Sequence, residues 1–453
     1  MPYLVRVILA LAVVACISSF SIRANAAEVT AFVDVNVLPM DQERVLRRQT
    51  VVVRDGRITE MGPRASVPKG AKIINGRGSA WLLPGLADMH VHADTREQLA
   101  VMLANGITTA LNMGEASNAF VGRTRAAVDR GEIPGPRTFV ALAVDGSPRY
   151  GHLVVPSAEA AGWVVGLAKA NGYEFLKVYN GLSPEVFEAL AIQANGAGIR
   201  IAGHGVESVR LERQVAAGQV MIAHLEEFLY SFMKVPPGDD PNAAPNESEI
   251  ARAVEFVKRT GVVITADLAT YQTIAEQWGR PDVVRGFLKS GDIHYVSPTD
   301  RISWYKSGYQ KRKGSLSARA QFLGRFVKAL ADADVQLIAG TDAPSVPGLA
   351  VGFSLHEDLA ALERAGLSRF QVLETATRAP GAFIKRVRPG ETPFGAVALG
   401  SRADLLLVAS NPLDDLNALQ KPLGVMAAGH WHDANELQKL LDEIKATYQA
   451  GTP

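Results

Sequence analysis

The sequence predicts an α/β protein: a (β/α)8 TIM barrel carrying a small β-sandwich built from both chain ends. Three observations carry that prediction. Eight short apolar runs recur between residues 82 and 341, most of them separated by amphipathic helical patterns. Strand-like stretches punctuated by turns flank this region on both sides. Side chains able to do chemistry gather at the C-terminal ends of the apolar runs, where barrels build their active sites. The rival, a doubly wound open sheet, usually carries a glycine-rich phosphate loop after its first strand, and this chain has none there.

Taken in order, residues 1–26 show one early charge at Arg6, an apolar run over 7–17, and Ala24-Asn25-Ala26 before Ala27. This is the pattern of a secretory signal peptide with an Ala-x-Ala site; the run is too short to span a membrane. We therefore expect export to a periplasmic or secreted location, with no stable membrane span after cleavage. The only cysteine, Cys16, follows Val13-Val14-Ala15, a loose likeness to a lipoprotein box, and lipid anchoring there is the minor alternative. Cleavage after Ala26 leaves no cysteine, hence neither disulfides nor a thiolate nucleophile.

Residues 27–83 and 383–453 are assigned to the β-sandwich. Val51-Val52-Val53-Arg54 and Arg57-Ile58 flank Asp55-Gly56, a strong hairpin signal. A similar texture returns in Ala403-Asp404-Leu405-Leu406-Leu407-Val408 and Gly424-Val425-Met426-Ala427, and a helix over 436–448 closes the chain. The barrel is assigned to 84–382. Its strands are expected at 82–92, 107–113, 138–144, 175–179, 199–205, 220–225, 262–268 and 335–341, with helices at 97–105, 158–170, 184–195, 248–259 and 315–333. Residues 269–317 exceed an ordinary barrel loop and hold eight aromatic or His side chains. Such a stretch acts as a lid or specificity element, or forms a packed accessory hairpin or helix pair.

The composition is that of an ordinary globular chain of 453 residues. Its formal charge of +1 includes Arg6 and Arg23, so it becomes −1 without the leader, and nothing argues for a nucleic-acid partner.

The chemistry begins at Pro84-Gly85-Leu86-Ala87-Asp88-Met89-His90-Val91-His92. A strand ending in His-x-His presents both imidazoles on one side, the start of a metal site. His204 ends the fifth run, His224 the sixth, Lys177 sits in the fourth, and Asp342 follows the eighth. Each alone has a bland reading: a hydrogen-bonded histidine, a rim cation, a helix N-cap. Together, four of nine histidines, a lysine and a carboxylate converge on one rim and need a common partner, for which a divalent ion is the economical choice.

These residues, with Gly400-Ser401-Arg402-Ala403-Asp404-Leu405 and Asn411-Pro412-Leu413, resemble the amidohydrolase superfamily of metal-dependent hydrolases, and its imidazolonepropionase-like and prolidase-like branch in particular. The resemblance implies two divalent ions: one held by His90, His92 and Asp342, the other by His204 and His224. Lys177, as N6-carboxylysine, would bridge them, since an ammonium cannot ligate a cation whereas a carbamate is an anionic oxygen ligand. Zinc suits such an imidazole-rich site. The resemblance further implies a hydroxide between the ions as nucleophile, with Asp342 moving its proton to the leaving nitrogen.

The expected activity is hydrolysis of a C–N bond in a small-molecule amide or peptide: a dipeptide, an N-acyl amino acid or an ochratoxin-like amide. A mononuclear cyclic amidase, lactonase or deaminase of the same fold is the first alternative, and a non-catalytic metal-binding protein the second. His152 is a candidate catalytic and substrate-binding residue that could donate to the oxyanion or to a substrate carboxylate. Tyr179 and Tyr230 are further substrate contacts. A homo-oligomer is expected, of no particular size.

Overall fold

A computed structural model describes residues 29–114, 116–235 and 240–450; the leader, with Cys16 and the Ala24-Asn25-Ala26 site, lies outside them. Among the described residues no helix is long and apolar enough to cross a membrane.

The first unit is a mixed eight-stranded sheet drawn from both ends of the chain. Strand β1 (Val29–Val37) pairs antiparallel with β2 (Leu46–Arg54), which turns back as β3 (Arg57–Gly62). The turn uses Asp55 at φ 51° and Gly56 at φ 70°, the double positive φ that the Asp-Gly signal requires. Along its other edge β1 pairs in parallel with β4 (Lys72–Asn75) and then β5 (Trp81–Pro84). Alternating residues of these strands, Phe32, Val51, Val53 and Leu82 among them, form a core shared with Leu405, Met426 and Trp431 from the C-terminal strands.

The second unit is a parallel barrel. Its strands are β6 (Leu86–Val91), β7 (Ile107–Asn112), β8 (Arg137–Asp145, joined at its end by the short β9, Leu153–Val154), β10 (Phe175–Val178), β11 (Arg200–Gly203), β12 (Gln219–Ile222), β13 (Val263–Thr265) and β14 (Leu337–Ile338). The last strand returns to the first: Met89 N–H donates to Ala339 O (3.0 Å), Thr341 N–H to His90 O (2.9 Å), and Val91 bridges Ala343. Eight strand-helix units with this closure confirm the barrel.

The run 82–92 reads as one strand in the sequence but is two. Pro84 cannot donate to a ladder, and a Cβ on Gly85 would lie 2.3 Å from Thr108 Oγ1, so the chain breaks its course there. Before the break it pairs with β15 (Leu405–Val408) in the mixed sheet; after it, with β7 in the barrel. The sheet is completed by β16 (Gly424–Ala427) and β17 (His430–Asp433).

Ala87, Met89, Phe139, Phe175, Met221 and Ile338 fill the barrel interior, and Phe383, Ile384 and Val387 of the helix Arg378–Val387 stack beneath them. This apolar plug leaves the polar chemistry to the opposite, C-terminal end. The closing helix Ala434–Ala450 packs Ile444 and Tyr448 on Ala100 and Val101 of the barrel helix Arg96–Ala104. The stretch after β13 folds as packed helical pieces, including Leu268–Gln277, Pro281–Phe287 and Pro298–Tyr305, with the buried Trp304 donating its Nε1–H to Pro344 O (2.7 Å).

Candidate metal and substrate site

Strand alternation alone does not place the first two histidines. The register of β6 shifts between Asp88 and Val91, so that Met89 and then His90 both reach inward while Val91 joins the outer core. Such irregularities re-aim side chains beside active sites. Asp88 braces the turn from beneath: it is fully buried, accepts Thr341 Oγ1 (2.8 Å) and the amides of His90 and Thr341 (3.2 Å each), and burial raises it to about 7.

His90 Nδ1 faces Ala223 O (2.9 Å), which leaves Nε2 pointing to the centre, 3.1 Å from Lys177 Nζ and 3.2 Å from Asp342 Oδ1. His92 Nε2 meets the same Asp342 oxygen at 2.8 Å. Across the barrel, His204 Nδ1 bonds Glu227 Oε1 (2.8 Å) and His224 Nδ1 bonds Asp267 Oδ2, freeing the Nε2 atom of each ring. The imidazoles form a continuous arc, with ring centroids 5.4 Å apart for His90 and His92, 4.5 Å for His90 and His224, and 4.6 Å for His204 and His224. All six residues predicted as ligands are therefore brought together.

The electrostatics keep three of the four rings neutral. Burial, aided by the Lys177 charge, holds His90 well below the usual imidazole range and His92 at about 4; burial and the nearby His224 lower His204 likewise. Burial also lowers His224, but the Asp267 charge and hydrogen bond outweigh it and raise the ring to about 9. Burial brings the Lys177 ammonium down to about 8. For Asp342 burial raises the carboxyl, and the hydrogen bonds from His90 and His92 overturn that, holding it well below its ordinary value. Asp342 is set in a left-handed backbone conformation, φ 54°, with its N–H on His90 O (2.7 Å).

Ligand atoms of His90, His224 and Asp342 all lie within 4.8 Å of one another, a group able to hold a metal ion. The donor set fits that role: three rings are anchored through Nδ1, which leaves each Nε2 available, and a carboxylate lies beside them.

Above this group opens a cavity of about 970 Å³. His152, Tyr179 and Tyr230 line it, together with Glu226. His152 packs on Tyr179 (centroids 4.0 Å), Tyr179 packs on His204 (4.4 Å), and the buried His152 Nε2 has no hydrogen-bond partner. Tyr271 and Tyr309 bring the long 269–317 segment into the same wall.

The Amidohydrolase family model matches residues 81–432. The chain belongs to the amidohydrolase family. Among its relatives, a dihydroorotase of Anaeromyxobacter dehalogenans is 24% identical over 397 residues, 80% of this chain and 84% of that one. The ochratoxinase of Aspergillus niger is 24% identical over 444 residues, 88% and 85% of the two chains. The solved bottromycin amidohydrolase superposes with a TM-score of 0.73 at 23% identity, covering 93% of this chain and 90% of its own. This amidohydrolase is thus a hydrolase of carbon–nitrogen bonds.

Sequence reasoning missed Asp267 as the partner of His224, and left Glu227 without a role where the structure sets it on His204. Asp267 was visible by the signal used for the others, a carboxylate just past the end of a barrel strand, in Val263-Ile264-Thr265-Ala266-Asp267.

Proposed function

We propose that this amidohydrolase is an exported, binuclear enzyme cleaving a linear amide beside an amino acid: a dipeptide, an N-acyl amino acid or an ochratoxin-like amide. The observation that carries it is Lys177, buried with its Nζ 3.1 Å from the Nε2 of His90 and its charge acting on His92 and His204 as well. A buried lysine amid candidate ligands suits conversion to N6-carboxylysine, which supplies oxygen donors to both sides.

His90, His92 and Asp342 would hold one divalent ion, His204 and His224 a second, with carboxylated Lys177 between them. Zinc suits the donors, and two bound ions would polarise the scissile carbonyl and lower the pKa of water. The chain's own residues do the rest. Asp342 receives the proton of the attacking water and delivers it to the leaving nitrogen. Asp267 and Glu227 keep His224 and His204 in the tautomer that presents Nε2. His152, with Nε2 unpartnered, donates to the oxyanion or the substrate carboxylate, while Tyr179 and Tyr230 bound the substrate.

The cavity is large enough for a dipeptide or an aryl amide, and the match to ochratoxinase over most of both chains supports the linear-amide class. The match to dihydroorotase keeps a cyclic amide as the second reading. Trp163, Leu167 and Ile192, 74%, 56% and 70% exposed on the helices Ala158–Ala170 and Pro184–Ala197, offer an apolar face that supports a homo-oligomer.

The test is hydrolysis of C-terminally varied dipeptides and N-acyl amino acids beside cyclic amides, before and after chelation. Turnover of linear amides that chelation removes and zinc restores is expected; turnover confined to cyclic amides overturns the reading.

A further inference from the structure

Each carboxylate around the histidines has its imidazole: Asp342 holds His90 and His92, Glu227 holds His204, Asp267 holds His224. Glu226 does not. It follows β12 by four residues, just before the short helix Glu227–Ser231, and lines the cavity partly open to it. Among the described residues its carboxylate has no hydrogen bond and no ion pair.

Three tyrosines share its cavity. Tyr230 lies one turn further on, Tyr271 comes from the helix Leu268–Gln277, and Tyr309 from the turn Tyr309–Lys311; all three line the cavity. The charge of Glu226 acts on each phenol, and on Tyr230 it is the largest influence. An unpartnered carboxylate opening on a cavity is a receptor for a cation, which gains a charge-assisted hydrogen bond there.

Among the described residues no arginine pairs with Glu226. Arg210 pairs with Glu212 (3.0 Å), and Arg149 lies over the Tyr150 ring (5.2 Å); both are exposed at the rim. Arg319, buried near Tyr271, donates to Asp240 O (2.7 Å).

Resting on the amide-hydrolase reading, we propose that Glu226 is a specificity-determining residue that receives a positively charged group of the substrate, an ammonium. The ammonium is either the α-amino group of a dipeptide or the side chain of a lysine residue.

Four substrates separate these sources: Ala-Lys, Ala-norleucine and the N-acetyl form of each, assayed with the metal-loaded full chain and with Glu226→Gln. The wild type is expected to favour the ammonium-bearing member of at least one pair by about tenfold in kcat/KM, and the variant to bring that ratio near one. Preference between lysine and norleucine assigns the side chain; preference between free and acetylated forms assigns the α-amino group. A wild type without preference, or a preference that survives in the variant, overturns the proposal. So does an equal fall on all four substrates with the ratio kept, which makes Glu226 a proton-transfer group instead.

If none of the four is cleaved, binding still decides. Calorimetry with L-lysine, L-norleucine and N-acetyl-L-norleucine should show a preference for the ammonium-bearing member of at least one pair, lysine over norleucine or norleucine over its acetyl form, in the wild type and its loss in Glu226→Gln. Equal affinities for all three overturn the proposal.

Discussion

Asp342 Oδ1 stands 2.8 Å from His92 Nε2 and reaches His90 through the same oxygen, so one carboxylate atom ties together both histidines of the His-x-His strand. The link closes the barrel chemically where the backbone closes it physically, since Asp342 N–H donates to His90 O. Both contacts use Oδ1, which suits a group that both holds a ligand shell and moves a proton.

Asp342→Asn keeps the shape and removes the base. We expect turnover to fall by about 10²- to 10⁴-fold while much of the metal stays bound, read by steady-state kinetics beside metal analysis. Near-normal turnover would remove Asp342 from proton transfer.

Glu227 and Asp267 act through the rings they hold. Glu227→Gln and Asp267→Asn should each weaken metal affinity by about 10- to 100-fold, measured by competition with a chelating dye. Affinity equal to wild type would show that His204 and His224 need no such anchor.

Gly340 lies where the last strand meets the first, and a Cβ there would stand 2.7 Å from His90 Cβ and 2.5 Å from Thr265 Cγ2. Gly340→Ala should cost about 1–3 kcal/mol through overpacking and push His90 off its position. A lowered Tm with reduced metal content is the expected pair of results; an unchanged Tm contradicts the close approach.

His356 supplies a pH dependence away from the metal group. It is buried, its Nε2 donates to Asn105 O (3.1 Å), its Nδ1 has no partner, and burial lowers it from 6.5 to about 4. Between those values the unfolded chain binds more protons than the folded one, so stability rises with pH through this window and is lost on acidification. The site contributes ~3 kcal/mol at neutral pH that disappears towards pH 4. Denaturant titrations of wild type and His356→Gln from pH 4.5 to 7 should show a shallower slope in the variant; parallel slopes contradict the assignment.

Much of this was legible in the chain because the barrel is written in apolar runs of fixed spacing. Val178, Gly203 and Ile222 end their strands close to where turn residues and polarity predicted, and the histidines beyond them followed. What did not show in the sequence depends on tertiary contact. The break at Gly85 comes from Thr108 lying against it, and the re-phasing of His90 from a register shift that no periodicity encodes. The pairing of His224 with Asp267 joins residues 43 apart. The aromatic stretch after β13 announced itself as more than a loop, but only packing shows that Tyr271 and Tyr309 reach the cavity while Trp304 anchors the segment beneath.

The most direct test of the account is metal content per chain in the purified wild type and in Lys177→Ala. The account predicts about two divalent ions per wild-type chain and the loss of one or both in the variant, together with its activity. About one ion, unchanged by the substitution, would contradict the bridging role of Lys177 and point to a mononuclear enzyme acting on cyclic amides.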